Sequence, residues 1–165
     1  MKATLQAYPV PTRDGTFIAY YSDNGLARLD FPSGKESKVK ALISLELKRW
    51  HKSTEAAIKR AINGKAITST PPLDLSSGTE FQREVWSELR KISVGKTRSY
   101  SEIAAAVGRP KGARATGSAC GANPIPLLIP CHRVLASGGK LGGFSGGLDW
   151  KRKLLQRENI TSYLE

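Results

Sequence analysis

Cysteine, histidine and long apolar runs are scarce in this chain, and one long stretch has no acidic residue at all. Only two cysteines, Cys120 and Cys131, occur in 165 residues. That is too few for a disulfide framework in a chain of this size, so a reduced, intracellular protein is expected. The first half of the chain has one histidine, His51, and no cysteine, and in the second half Cys120 and Cys131 with His132 do not complete a zinc site, so no metal is expected. No run of about 18 or more apolar residues occurs, which excludes a hydrophobic membrane helix. No apolar signal core follows Met1-Lys2-Ala3-Thr4, so no secretory leader is expected and the expected compartment is the cytoplasm. From Ile103 to Leu148 there is neither Asp nor Glu. Arg109, Lys111, Arg114, Arg133 and Lys140 fall in that stretch, and Lys151, Arg152, Lys153 and Arg157 follow it. Within a net charge of +12, this asymmetry points to a polyanionic partner. No helix combines the charge with a wide apolar face, which argues against a membrane surface.

What is present divides near residue 77, giving an N-terminal unit over 1–77 and a C-terminal unit over 78–165. In the first, Thr16 to Ser22 and Leu26 to Phe31 flank Asp23-Asn24-Gly25 and read as a β-hairpin. Lys38 to Trp50 shows helical spacing. Ser53 is positioned to cap a second helix over Thr54 to Asn63, ended by Gly64. His51 is expected at an exposed helix end. Thr70-Pro71-Pro72 breaks the chain, and Asp74 to Gly78 reads as linker. Nothing in this half suggests chemistry.

In the second unit, Thr79-Glu80-Phe81-Gln82 and Ser99-Tyr100-Ser101-Glu102 are capping boxes. They open helices over Glu80 to Ile92 and Tyr100 to Val107. Trp86 is expected in the core. Gly112 to Gly121 forms a further helix after a short turn, so two short helices in a basic region resemble a helix-turn-helix. That last helix is built from small residues, with Arg114 its one long side chain. The segment Asn123-Pro124-Ile125-Pro126-Leu127-Leu128-Ile129-Pro130-Cys131-His132-Arg133-Val134 is stiffened by its prolines. It places a thiol beside an imidazole, although a lone cysteine is more often a small buried hydrophobe. Gly138-Gly139 marks a turn. Gly142-Gly143-Phe144-Ser145-Gly146-Gly147 is too glycine-rich for a helix or strong strand, and its backbone can approach a ligand. The final helix runs from Leu148 or Asp149 to about Asn159. It puts Trp150, Leu154 and Glu158 on one face, so Glu158 is either paired inside or reaches water at the helix end.

Pro130-Cys131-His132-Arg133-Val134 after Asn123-Pro124, together with Arg98-Ser99-Tyr100, Ala113-Arg114-Ala115, Gly142 to Gly147 and Glu158, resembles the O6-alkylguanine-DNA alkyltransferases. The match runs in register over roughly residues 79 to 159. The resemblance implies an α/β (α+β) fold, with a small N-terminal ribonuclease-H-like domain and a mainly helical C-terminal domain carrying a winged helix-turn-helix-like motif. It implies a DNA-repair protein that flips O6-alkylguanine from double-stranded DNA and moves the alkyl group irreversibly to its own cysteine. Cys131 is the implied nucleophile, with His132 and Glu158 completing a relay through water. Asn123 would organise the bend, and Tyr100 would press on the phosphate and supply a proton. The helix bearing Ala113, Thr116, Gly117 and Ser118 would lie in the minor groove, with Arg114 filling the gap left by the base. Val134, Phe144, Ser145 and Gly146 would form the base pocket, Phe144 standing where some relatives have Tyr. No cofactor, no obligatory protein partner and a monomer are implied. Cys120 is expected to be a buried packing thiol.

Three other readings compete. A lesion-binding module of the same fold would lack the reactive cysteine. A thiol hydrolase leaves the acid-free basic stretch unexplained. A plain helix-turn-helix regulator leaves the Pro-Cys-His segment and the glycine loop unexplained.

Overall fold

The structure, a computed structural model, describes residues 4–34 and 44–165. Three strands form an antiparallel sheet in chain order: β1 (Gln6–Thr12), β2 (Gly15–Ser22) and β3 (Gly25–Asp30). Alternation decides its faces: Phe17, Ala19 and Tyr21 of β2 are fully buried, while Ile18 and Tyr20 between them are only half-buried. The β2–β3 hairpin falls where the Asp-Asn-Gly turn predicts. β1 was not legible, because Pro9 and Pro11 weaken a strand pattern; it is an edge strand, where proline is tolerated. Gly25 has φ +143°, and a Cβ there would meet the carbonyl oxygen of Pro72 at 2.2 Å. The close approach lets the linker run along β3, with Leu26 N donating to Pro72 O and Asp74 N to Leu26 O, both at 2.8 Å.

The helix α1 (Leu45–Ile62) is one continuous element, which corrects the expected pair of helices split at Ser53; the part of that expectation before Ser44 lies outside the described residues. Ser44 is the cap, accepting from Leu47 N at 3.0 Å. The chain stays helical through Ser53 and Thr54 because no Gly or Pro interrupts it and the Thr54 hydroxyl bonds back to Trp50 O at 2.8 Å. His51 is therefore mid-helix and only 8% exposed, not at an exposed end. Its Nδ1 pairs with the Tyr21 hydroxyl (3.0 Å) and its Nε2 with Pro9 O (3.2 Å).

The C-terminal half contains α2 (Glu80–Leu89), β4 (Arg98–Ser99), α3 (Tyr100–Ala106), α4 (Ala113–Gly121), β5 (Val134–Leu135) and α5 (Leu148–Arg157). Both capping boxes form, at Thr79/Gln82 and Ser99/Glu102. Helix α2 ends at Leu89, short of the expected Ile92, which is buried in the turn that follows. Trp86 is a core residue whose indole N–H donates to Ala119 O at 2.8 Å, tying α2 to α4. β4 and β5 pair in parallel, Arg98 with Val134 and Ser99 with Leu135. This short ladder joins the start of α3 to the end of the Pro-Cys-His segment. One cluster of buried side chains runs from Val10 and Phe17 of the sheet through Ile58 to Val85, Ile103, Ile129 and Leu154. No helix among the described residues is long and apolar enough to cross a membrane.

Candidate active site

The segment Asn123–Val134 is stitched together by Asn123. Its side-chain amide donates to Ile129 O (2.8 Å) and to Cys131 Sγ (3.2 Å), and its Oδ1 accepts from Ile125 N (3.0 Å). Leu127 takes a positive φ of 73° inside the bend, a conformation unusual for a leucine. The surrounding contacts hold it, since Ile125, Leu127, Leu128 and Ile129 are all buried. Pro130 then delivers the chain into a single 3-10 turn, Cys131–Arg133. Cys131 is unbridged and 5% exposed. Burial pushes its thiol upward, and the Asn123 hydrogen bond and the Lys151 charge work against that rise.

His132 is almost wholly buried, and its Nε2 lies 2.9 Å from Glu158 Oε1. Its Nδ1 is buried and has no hydrogen-bond partner. Glu158 follows the last turn of α5 and faces inward, as one of the two readings of its spacing required. Arg133 also binds it, through Nε (2.9 Å to Oε2) and Nη2 (2.8 Å to Oε1), while Arg133 Nη1 donates to Ile92 O at 2.6 Å. Gly95 N adds a 3.3 Å bond. Burial alone would raise the Glu158 carboxyl; the hydrogen bonds of His132 and Arg133, with the Arg133 charge, overcome it and bring the group to about 2. Burial lowers the His132 imidazole despite Glu158. The resting state is then a carboxylate paired with Arg133, beside a neutral imidazole whose proton sits on Nε2. Arg133, one of the cations of the acid-free stretch, is a buried partner of this acid and not part of a basic surface.

A cleft of about 190 Å³ opens over Cys131. Tyr100 at the start of α3, Gly117 and Cys120 on α4, and Gly143, Phe144 and Ser145 of the glycine loop line it. Burial, reinforced by the nearby thiols, pushes the Tyr100 phenol up to about 12, so it stays protonated. Cys120 is buried, as expected, but also borders this cleft, and burial raises its thiol to about 12. Two expected pocket residues lie elsewhere. Val134 is fully buried behind the cleft; its N–H is used on Cys131 O and its carbonyl accepts from Lys151 Nζ at 2.7 Å. Only that carbonyl's second lone pair is left for a base. Gly146 does not line the cleft; a Cβ there would meet Phe31 Cε2 at 2.7 Å and Phe144 Cε1 at 2.8 Å.

Lys151 is a residue the sequence reading missed. It is fully buried on α5 and donates to Val134 O and to Gly143 O (3.1 Å), joining the active-site segment to the glycine loop. Burial lowers its ammonium to about 8, against the pull of the two thiols. The available signal was spacing: Lys151, Leu154, Leu155 and Glu158 share the inward face at i, i+3, i+4 and i+7.

On α4, Arg114 and Ser118 are exposed, and Ala113 and Gly117 are half-buried. Thr116 is fully buried, so it packs inward and is not on the outer face with them. Arg109 stands over the Phe81 ring, 4.8 Å from its centre. Among the described residues no group of three His, Cys, Asp or Glu could hold a metal ion.

An intact thiol next to a carboxylate-bound histidine, under a cleft beside a helix of small residues with one projecting arginine, makes a candidate cysteine-dependent site with a basic rim. Residues 80–160 match the family model for the 6-O-methylguanine DNA methyltransferase DNA-binding domain. A methylated-DNA–protein-cysteine methyltransferase of Methanosarcina barkeri is 38% identical over 144 residues, covering 87% of this chain and 90% of that one. One from Haemophilus influenzae is 43% identical over 121 residues, covering 68% and 67%. The crystal structure of Mycobacterium tuberculosis OGT in complex with DNA superposes with a TM-score of 0.73 at 33% identity, covering 93% of this chain and 92% of that one. The chain belongs to the methylated-DNA–protein-cysteine methyltransferase family, whose name gives the reaction: a methyl group moves from DNA to a protein cysteine.

Proposed function

We propose that this chain repairs O6-alkylguanine in duplex DNA by taking the alkyl group once, onto Cys131. The observation that carries the reading is an unbridged Cys131, under a cleft beside the Arg114 helix, next in sequence to a buried histidine that has one free nitrogen and one carboxylate-bound nitrogen.

The steps follow from the groups. Arg114 fills the stack as the guanine turns out into the cleft, which lowers the cost of extrusion, a few kcal/mol. Glu158 fixes the imidazole with its proton on Nε2, so Nδ1 is the base. Through a water it takes the Cys131 proton, and the thiolate is the nucleophile. Sγ attacks the alkyl carbon, the C–O6 bond breaks, and the electron pair leaves on the guanine. Tyr100, held protonated, is placed to supply a proton to the departing base. The product is a thioether, which has no leaving group for reversal, so each chain acts once. No cofactor enters, and a monomer suffices.

Mass spectrometry of the intact chain after mixing with duplex DNA carrying one O6-methylguanine tests this. The expected result is a gain of one methylene mass, saturating at one per chain and mapping to the Cys131 peptide. Binding of the lesion with unchanged mass would replace the reading with a lesion-binding module.

A further inference from the structure

We propose that Phe31, just after β3 in the N-terminal half, sets how large an alkyl group the cleft accepts. The inference rests on the cleft over Cys131 being the site of alkyl transfer.

The cleft is small, so extra bulk on the alkyl carbon requires a wall to move. Tyr100, Gly117 and Cys120 stand on α3 and α4, and Cys131 is fixed by the Asn123 stitch. The remaining wall, Gly143 to Ser145, is irregular backbone. One end of it is tied by Lys151 at Gly143 O. Its middle is backed by Phe31. The Phe31 and Phe144 rings meet edge to face, with centres 5.5 Å apart, and Phe144 in turn meets His132 edge-on at 6.4 Å. Phe31 is itself wedged against Phe17 (5.3 Å) and Trp150 (5.1 Å). It also presses on the loop backbone, since a Cβ on Gly146 would lie 2.7 Å from Phe31 Cε2.

Behind this contact lies a second space, a groove of about 480 Å³ bordered by Phe31, Asn123, Pro126, Ser145 and Gly146. Ser145 borders both it and the cleft. The Phe31 ring and the loop it supports are therefore the partition between a tight cleft and a roomy groove. Shortening the ring lets Phe144 swing back and joins the two spaces. The N-terminal half thus acts as a specificity element for the chemistry of the other half.

The test compares single-turnover transfer to Cys131 from duplexes carrying O6-methylguanine and O6-benzylguanine, for the wild type, F31A and F31L, at a temperature where all are folded. For F31A the benzyl-to-methyl rate ratio should rise about fivefold or more, on the scale of differences a pocket wall makes; F31L should fall between it and the wild type. An unchanged or lower ratio in F31A overturns the inference while leaving the transfer reaction intact. If F31A does not fold, F31L decides: a raised ratio supports the partition and a wild-type ratio overturns it. Failure of the wild-type chain to take methyl at all overturns the site reading itself, and this inference with it.

Discussion

The molecule contains two buried histidines, and their surroundings differ in one respect that separates structure from chemistry. His51 has both ring nitrogens occupied, by the Tyr21 hydroxyl and by Pro9 O, and Tyr21 is also bound to Thr54 at 2.9 Å. It closes a network that joins α1 to the sheet and has nothing left to give. His132 is more deeply buried, yet only Nε2 is engaged, by a carboxylate that Arg133 keeps ionised. Its other nitrogen is free and lies in the residue after a thiol. Burial alone is thus no mark of function. A buried imidazole with one nitrogen fixed and one free, next to a thiol, is the arrangement the proposed reaction uses.

The largest effect should come from substituting the two rings in turn. H132Q should slow single-turnover methyl transfer by about 10²–10⁴-fold, the usual contribution of a positioned base. H51Q should leave that rate within about twofold but lower stability by about 1–3 kcal/mol, through the buried groups it strands. Equal losses of rate in the two variants would erase the distinction. Next is the acid. E158Q leaves the buried Arg133 without its counter-charge and should destabilise by about 3 kcal/mol in denaturant unfolding at neutral pH. Because the Glu158 carboxyl is lowered from 4.5 to about 2 in the fold, its stabilisation is present above pH 4.5. That stabilisation is lost as pH falls towards 2. The wild type should therefore lose stability through that window, and E158Q should show a flatter profile there. A steep acid limb retained in E158Q would show that other carboxylates carry it.

The smallest effect sharpens the comparison from the other side. Thr116 Oγ1 is, like His132 Nδ1, a buried polar atom without a hydrogen-bond partner, but its side chain has no second polar atom for a carboxylate to fix. T116V should leave transfer unchanged and raise stability by about 1 kcal/mol, since an unpaired hydroxyl is removed from the interior. A loss of DNA repair rate in T116V would mean that the free hydroxyl has a use.

The sequence was most readable where the information is local. Both capping boxes, the Asp-Asn-Gly hairpin and the helix bounds around Tyr100 and Ala113 depend on neighbours within a few residues, and they lie where expected. Cys131 beside His132 was visible as a dipeptide, and Glu158 as the third of three inward positions spaced by four. What failed was the reading of charge and polarity without tertiary partners. Arg133 and Lys151 looked like members of a basic surface. Arg133 is paired with an acid 25 residues away, and Lys151 with a carbonyl 17 residues away, which no local pattern encodes. His51 was placed outside for the same reason: its partners, Tyr21 and Pro9, lie on another element. Phe31 looked like the end of a strand, and its contact with Phe144 crosses from one half of the chain to the other.

The most direct test of the account is the rate of methyl transfer from duplex O6-methylguanine DNA as a function of pH, for the wild type and H132Q side by side. Burial holds the His132 imidazole below its ordinary 6.5, so the base form prevails at neutral pH. The wild-type rate should be level there and fall only as pH drops below 6.5 and Nδ1 takes up a proton. H132Q should be slow at neutral pH and climb with pH as the thiol itself ionises. Two profiles of the same shape would contradict the claim that the free nitrogen of His132 activates Cys131.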